Sequence, residues 1–221
     1  MRDAETGSEW LHYTGECVVG PMAGKTLSML TTELMTWRAF RERYAGATVI
    51  DDTPSLFRRL MGKVTAMRDV PSFFRLPPWF TRTMTKATRD IADMEFGLGV
   101  VVTQRRLLGG ARAAGARFYP FKALRAAKMV RETLDGTPVV VLWDEAANAA
   151  SAFVARLDDR VLDLRVVADG TLRDGDTVVD VTGRVTAGPH QGQRLPVLLG
   201  VHTRWYGFHQ VHPDATVFRA A

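Results

Sequence analysis

Residues 14–49 and residues 182–217 align without a gap at a constant offset of 168, with twelve identities in thirty-six positions. Thr14-Gly15, Gly20-Pro21, Gly24, Leu27 and Leu30 return as Thr182-Gly183, Gly188-Pro189, Gly192, Leu195 and Leu198. Trp37, Phe40 and Ala47-Thr48-Val49 return as Trp205, Phe208 and Ala215-Thr216-Val217. Gly-Pro followed three residues later by Gly is turn chemistry, because glycine admits a positive φ and proline presets its own. A hairpin is expected in each segment. Trp and Phe at i and i+3 share one helix face, and the Ala-Thr-Val after them reads as a short strand. Each segment is thus expected to run strand, turn, strand, helix, strand.

Residues 97–181 hold further elements with no counterpart before residue 14. Strands are expected at Gly99–Gln104, Ala116–Tyr119, Val139–Trp143, Ser151–Leu157 and Val161–Val167, where β-branched residues concentrate between turns such as Asp135-Gly136 and Asp169-Gly170. One helix is expected over Pro120–Thr133. Strands and helices without regular alternation favour an α+β fold, mainly antiparallel sheet with a few short helices and internally repeated. The expected organisation is a partial unit over 1–50, a basic aromatic connector with a helix over 51–95, and a more complete unit over 96–221.

Composition narrows the classes of function. A 46% hydrophobic share is enough for a globular core, and no apolar run approaches the ~18 residues of a membrane span. Met1-Arg2-Asp3-Ala4-Glu5 lacks the apolar core of a signal peptide, so a soluble or peripheral membrane protein is expected, its compartment open. With Cys17 as the only cysteine, an intrachain disulfide or a cysteine-built metal centre is excluded. No cofactor is expected.

Several of these stretches are familiar together. Asp3-Ala4-Glu5-Thr6-Gly7-Ser8-Glu9-Trp10, Thr14-Gly15-Glu16, Gly20-Pro21-Met22-Ala23-Gly24 and Thr36-Trp37 resemble the second half of the bacterial and archaeal "domain of unknown function 3179" family. Gly99-Val100, Ala116-Arg117-Phe118-Tyr119-Pro120, Gly136-Thr137-Pro138-Val139-Val140-Val141, Ser151-Ala152-Phe153 and the Gly183, Gly188-Pro189, Gly192 series follow the family's order over most of the chain. The resemblance implies an architecture and no established activity. Family members usually place Cys-Pro-x-Cys-Gly after the strand corresponding to Val139–Trp143, where this chain has Asp144-Glu145-Ala146-Ala147-Asn148. Any thiol-based role is absent here. By the same resemblance the chain begins in the middle of the first family unit, so an upstream half is expected to be missing or lost.

The candidate chemical motifs are incomplete. Gly20-Pro-Met-Ala-Gly24-Lys25-Thr26 has three residues between its glycines where a phosphate-binding loop needs four, so a turn is expected. His209 and His212 sit at one-face helical spacing, and with His190 and His202 could build a metal site. Their counterparts Arg41 and Tyr44 point instead to a solvated position and an aromatic packing position. Asp144 and Glu145 close a buried-looking strand, but no base is placed beside them by the sequence. Cys17 aligns with Val185 and reads as a small core residue.

The most unusual stretch is Phe57–Asp90, with Arg58, Arg59, Lys63, Arg68, Arg75, Arg82, Lys86 and Arg89 against only Asp69 and Asp90. Phe57, Phe73, Phe74, Trp79 and Phe80 interleave with those charges, around Pro71, Pro77 and Pro78. Such a segment fits a surface that docks on an acidic protein or a membrane interface, or a linker with buried aromatics and solvated arginines. No nucleic-acid recognition motif is present, and none is expected as a partner. The leading expectation is a non-enzymatic binding or accessory protein, an extrinsic subunit docking on a larger assembly through Arg58, Arg59, Arg75, Trp79, Phe80 and Arg82. The alternative is a metal-dependent or hydrolase-like enzyme using Asp144, Glu145, His209 and His212.

Overall fold

A computed structural model describes residues 1–11, 13–50, 78–81, 91–105, 111–167 and 171–220. In chain order its elements are β1 (Glu9–Trp10), β2 (Cys17–Val19), α1 (Trp37–Arg43), α2 (Pro78–Thr81), β3 (Phe96–Arg105), β4 (Ala111–Pro120), α3 (Phe121–Ala127), β5 (Met129–Leu134), β6 (Thr137–Asp144) and β7 (Ala149–Val154). There follow β8 (Arg156–Leu157), β9 (Arg160–Val161), β10 (Arg165–Val166), β11 (Leu172–Asp174), β12 (Thr177–Val179), β13 (Val185–Ala187), β14 (Leu199–Arg204), α4 (Trp205–Val211) and β15 (Thr216–Val217). The fold is α+β and mainly antiparallel, β15 on β4 being a parallel pair. Among the described residues no helix is long and apolar enough to cross a membrane.

Three sheets stack because their strands are apolar on alternating positions. In the sheet ordered β14-β3-β4-β15, Leu98, Val100, Val102 and Tyr119 face the β5-β6-β7 meander and meet Val139, Val141 and Trp143, with Phe121 and Leu124 of α3 closing one end. The strand period of two sends Val140, Leu142 and Phe153 to the other face, onto Leu172, Val179 and Val185 of the β10–β13 sheet. Strand β6 is therefore buried on both sides, which is why it reads as an unbroken apolar run. On the outer face of β3 and β4, Val101 and Phe118 take Trp205 and Phe208 of α4. Gly99 belongs here: a Cβ on it would lie 2.2 Å from the Phe208 ring, so only glycine lets α4 come this close.

The expected helix over 120–133 is corrected: α3 ends at Ala127, and Met129–Leu134 is strand. Lys128 turns left-handed at φ 63°, and each residue of β5 then finds a partner on β6. Asp135 and Gly136, both at positive φ, form the two-residue loop between Leu134 and Thr137, the primed geometry that matches strand twist. Helix propensity loses to this ladder and to the burial of Val130 and Leu134. The single strand expected over Val161–Val167 is likewise broken into β9 and β10 by Leu162–Leu164, whose two leucines turn into the core.

The segments offset by 168 share their local hydrogen bonding. Cys17 N–H donates to Lys25 and Val185 N–H to Gln193, each at 2.9 Å, and Gly24 and Gly192 return bonds to Cys17 and Val185, again at 2.9 Å. Gly20 and Gly188 lie at φ 103° and 98°, and Cys17 and Val185 are both buried. Beyond the loops the likeness fails. Trp205 is 1% exposed against Phe118, whereas Trp37 is 59% exposed. Ala47-Thr48-Val49, expected as a strand, has no strand pairing, while Thr216–Val217 pairs with Arg117–Phe118. Helix α4 and β15 have β3 and β4 to lie on; α1 instead rests its Ala39 on Ala147 and Ala149.

Candidate functional site

The outward face of α1 and one rim of a nearby cavity both depend on how α1 is anchored. Thr36 caps the helix, its hydroxyl accepting from Ala39 N–H at 3.3 Å, and its own N–H donates to Ala147 O at 2.9 Å. Arg43 reaches Asp144 at 2.7 Å across the same contact. Both side chains are largely shielded, so this pair is screened less than a surface one. The anchored helix turns Trp37, Arg38, Arg41 and Glu42 outwards, positions that share one side of a helix of period 3.6. In α4 the residues matching Arg38 and Arg41 are Tyr206 and His209. That exchange of aromatic for arginine is the sequence signal for the exposed basic face, and it was legible once the two segments were aligned.

Of the residues expected to form the docking segment, Arg58, Arg59, Arg75 and Arg82 lie outside the described residues, as does the side chain of Phe80. Trp79, in α2, is 69% exposed. The acids and histidines of the enzymatic alternative occupy separate structural roles. Asp144 Oδ1 accepts Ala147 N–H at 3.0 Å, closing the β6–β7 turn, while Oδ2 holds Arg43. Glu145 accepts from Lys128 at 2.6 Å and from Trp143 Nε1 at 2.9 Å, and these bonds hold its carboxyl below the usual range. His209, expected to be solvated, is instead 5% exposed and stacked on Trp205 at 5.0 Å, because α4 lies against a sheet where α1 does not. His212 packs on Phe208 as Tyr44 packs on Phe40, the aromatic role expected of it, and burial pushes its pKa down. Among the described residues no group of three histidine, cysteine or acidic side chains converges as a metal cluster would.

The Gly20–Gly24 loop is a turn that consumes its own donors. Ala23 N–H bonds to Gly20, Gly24 N–H to Cys17 and Lys25 N–H to Met22, so those amides point away from any phosphate.

The cavity lies between the loop before α1 and the edge of β7. Leaving β13, the chain lays Pro196–Leu198 along the edge of β7, with Val154 N–H donating to Pro196 O at 2.8 Å and Leu198 N–H to Ala152 O at 3.0 Å, before entering β14. The opening left between β7 and β14 measures about 150 Å³. Leu98, Ala150, Ala152, Phe153 and Leu198 floor it, and Ser151, Thr182, Arg194 and His202 add polar groups. His202 Nε2 lies 3.1 Å from Ala150 O, which fixes the ring at the wall. Thr31–Glu33 form the opposite rim, held there by α1 and by the Tyr44 hydroxyl, which donates to Glu33 Oε2 at 2.8 Å. Nothing in residue spacing announces this site, since its walls come from sequence positions as distant as Thr31 and His202.

A sequence model described as "Protein of unknown function (DUF3179)" matches residues 1–215. The chain belongs to this family. No curated protein and no solved structure matches it significantly. In this DUF3179 protein the turn after β6, where the family resemblance led one to expect cysteines, is built by Asp144 and by Asn148 at φ 51°. Its acidic residues fasten α1 and α3 to the sheet, through Arg43 and Lys128 respectively.

Proposed function

We propose that the protein is a non-enzymatic binding or accessory subunit that docks on an acidic surface of a larger protein assembly. The observation that carries this reading is the outward face of α1, where the largely exposed Trp37 shares one side of the helix with Arg38 and Arg41. Tryptophan and arginine are the residues that most often anchor interfaces, and an exposed tryptophan on a folded helix gains most of its area on docking. The net charge of +5 and the basic run over Phe57–Asp90 extend the same complementarity, and Trp79 adds a second exposed ring. The acids of the enzymatic alternative are engaged in turn and helix anchoring, so the geometry lends that reading no support.

The test is affinity capture from the source organism, comparing the wild-type chain with Trp37→Ala and with Arg38→Glu combined with Arg41→Glu. A partner retained by wild type, released as salt rises and lost from both variants is the expected result. A partner that both variants hold as well as wild type does would refute docking through this face. Reversal of Arg58, Arg59, Arg75 and Arg82 to Glu without loss of binding would remove the connector from the interface.

A further inference from the structure

The cavity at the edge of β7 has an apolar floor and opposite charges on its rim. Glu33 and Arg194 do not pair with each other: Glu33 Oε2 takes the Tyr44 hydroxyl and stands 3.8 Å from Arg43, and Arg194 has no side-chain ion pair among the described residues. Both charges act on the Tyr44 hydroxyl, whose pKa is raised first by burial and then by Glu33, and lowered by Arg43 and Arg194. They line one and the same opening of about 150 Å³, each with capacity left for a third party. An anion drawn to Arg194 would be opposed by Glu33, and a cation drawn to Glu33 would be opposed by Arg194. A molecule bearing both charges side by side satisfies both.

The floor sets the rest of the molecule. A dry cavity of roughly 150 Å³ walled by Leu, Ile and Phe admits a benzene-sized group, and Leu98, Phe153 and Leu198 supply such walls here. We propose that this cavity binds a free α-amino acid with an apolar side chain, its carboxylate on Arg194, its ammonium on Glu33 and its side chain on the Leu98–Phe153–Leu198 floor. A peptide interior lacks both charges, and either peptide terminus carries one. The site is a concave, largely apolar opening with a few polar groups at its rim, the general form of small-molecule sites. Since Thr31–Glu33 are held by α1, occupancy would also fasten α1 to the sheet.

The experiment is isothermal titration of the full chain with L-leucine, L-leucinamide, N-acetyl-L-leucine and isobutanol. Saturable one-to-one binding of L-leucine, weaker binding of the two half-charged analogues and none of isobutanol is expected. Arg194→Gln should weaken L-leucine at least ~10-fold while tightening leucinamide, whose ammonium no longer meets an opposing cation, and Glu33→Gln should do the mirror image with N-acetyl-leucine. Both residues lie at the surface, so unchanged thermal melts will show that the variants are folded. Ser151→Leu, which fills the opening, should abolish binding. No saturable signal for L-leucine, L-valine or L-methionine up to about 10 mM overturns the proposal. Binding that ignores both charge variants, or isobutanol binding as tightly as leucine, overturns it equally.

Discussion

Replacing Trp205 and Trp37 separately by Ala tests how far two residues at equivalent sequence positions have parted in role. Trp205 is 1% exposed, 5.3 Å from the Phe118 ring and 5.0 Å from that of His209. Truncating a buried tryptophan removes its transfer energy and leaves a cavity that a sheet-backed helix cannot collapse into, a loss of about 3–5 kcal/mol. Trp37 is 59% exposed, and its principal contact is the Phe40 ring at 5.4 Å. An aromatic pair contributes about 0.5–1.5 kcal/mol, and solvent access puts this one at the low end, so Trp37→Ala should cost about 0.5–1 kcal/mol. Urea unfolding followed by far-UV circular dichroism is the assay, since a chain with five tryptophans gives no clean fluorescence report. The midpoint should fall far more for Trp205→Ala at unchanged m-value. Losses equal within about 1 kcal/mol would refute the reasoning, because they would mean that α1 rests on a core as α4 does.

Gly99→Ala should destabilise by about 1–3 kcal/mol through collision of its methyl with Phe208. Adding Phe208→Leu should recover part of that loss, and a double-mutant cycle additive within about 0.5 kcal/mol would show that the two do not touch. His212 has its pKa depressed by burial, so the unfolded chain takes up a proton near the ordinary 6.5 and the folded chain only at lower pH. Its stabilising contribution is full above that value and declines as pH falls through the folded one. His212→Tyr, the residue found at position 44, should flatten the decline in urea midpoint between about pH 7.5 and 5.5. An unchanged slope would exclude His212 as its source.

Much of the architecture was legible because it is written in local chemistry. The strand positions of β3 and β6 follow from β-branched runs between turn residues, and the Asp135-Gly136 loop follows from its two residues alone. The misassigned helix over 120–133 shows where local signals stop: Met129–Leu134 is strand because β6 is there to pair with it. His209 makes the same point for the candidate site. Its spacing from His212 was visible, but stacking on Trp205 depends on α4 being pressed to a sheet that spacing does not encode. Glu33 and Arg194 carried no signal at all, since a cavity rim is defined by which distant loops meet.

The sequence alone determined the turns, since a positive φ at Gly20, Gly24, Gly188 and Gly192 depends only on the residue and its neighbours. It also determined which faces are apolar. Which apolar face is covered was decided by tertiary structure: the same Trp-x-x-Phe helix is core over β3 and β4 and surface over the β6–β7 turn. The physical reason is that burial belongs to a pair of surfaces, and a helix sequence specifies one of the two.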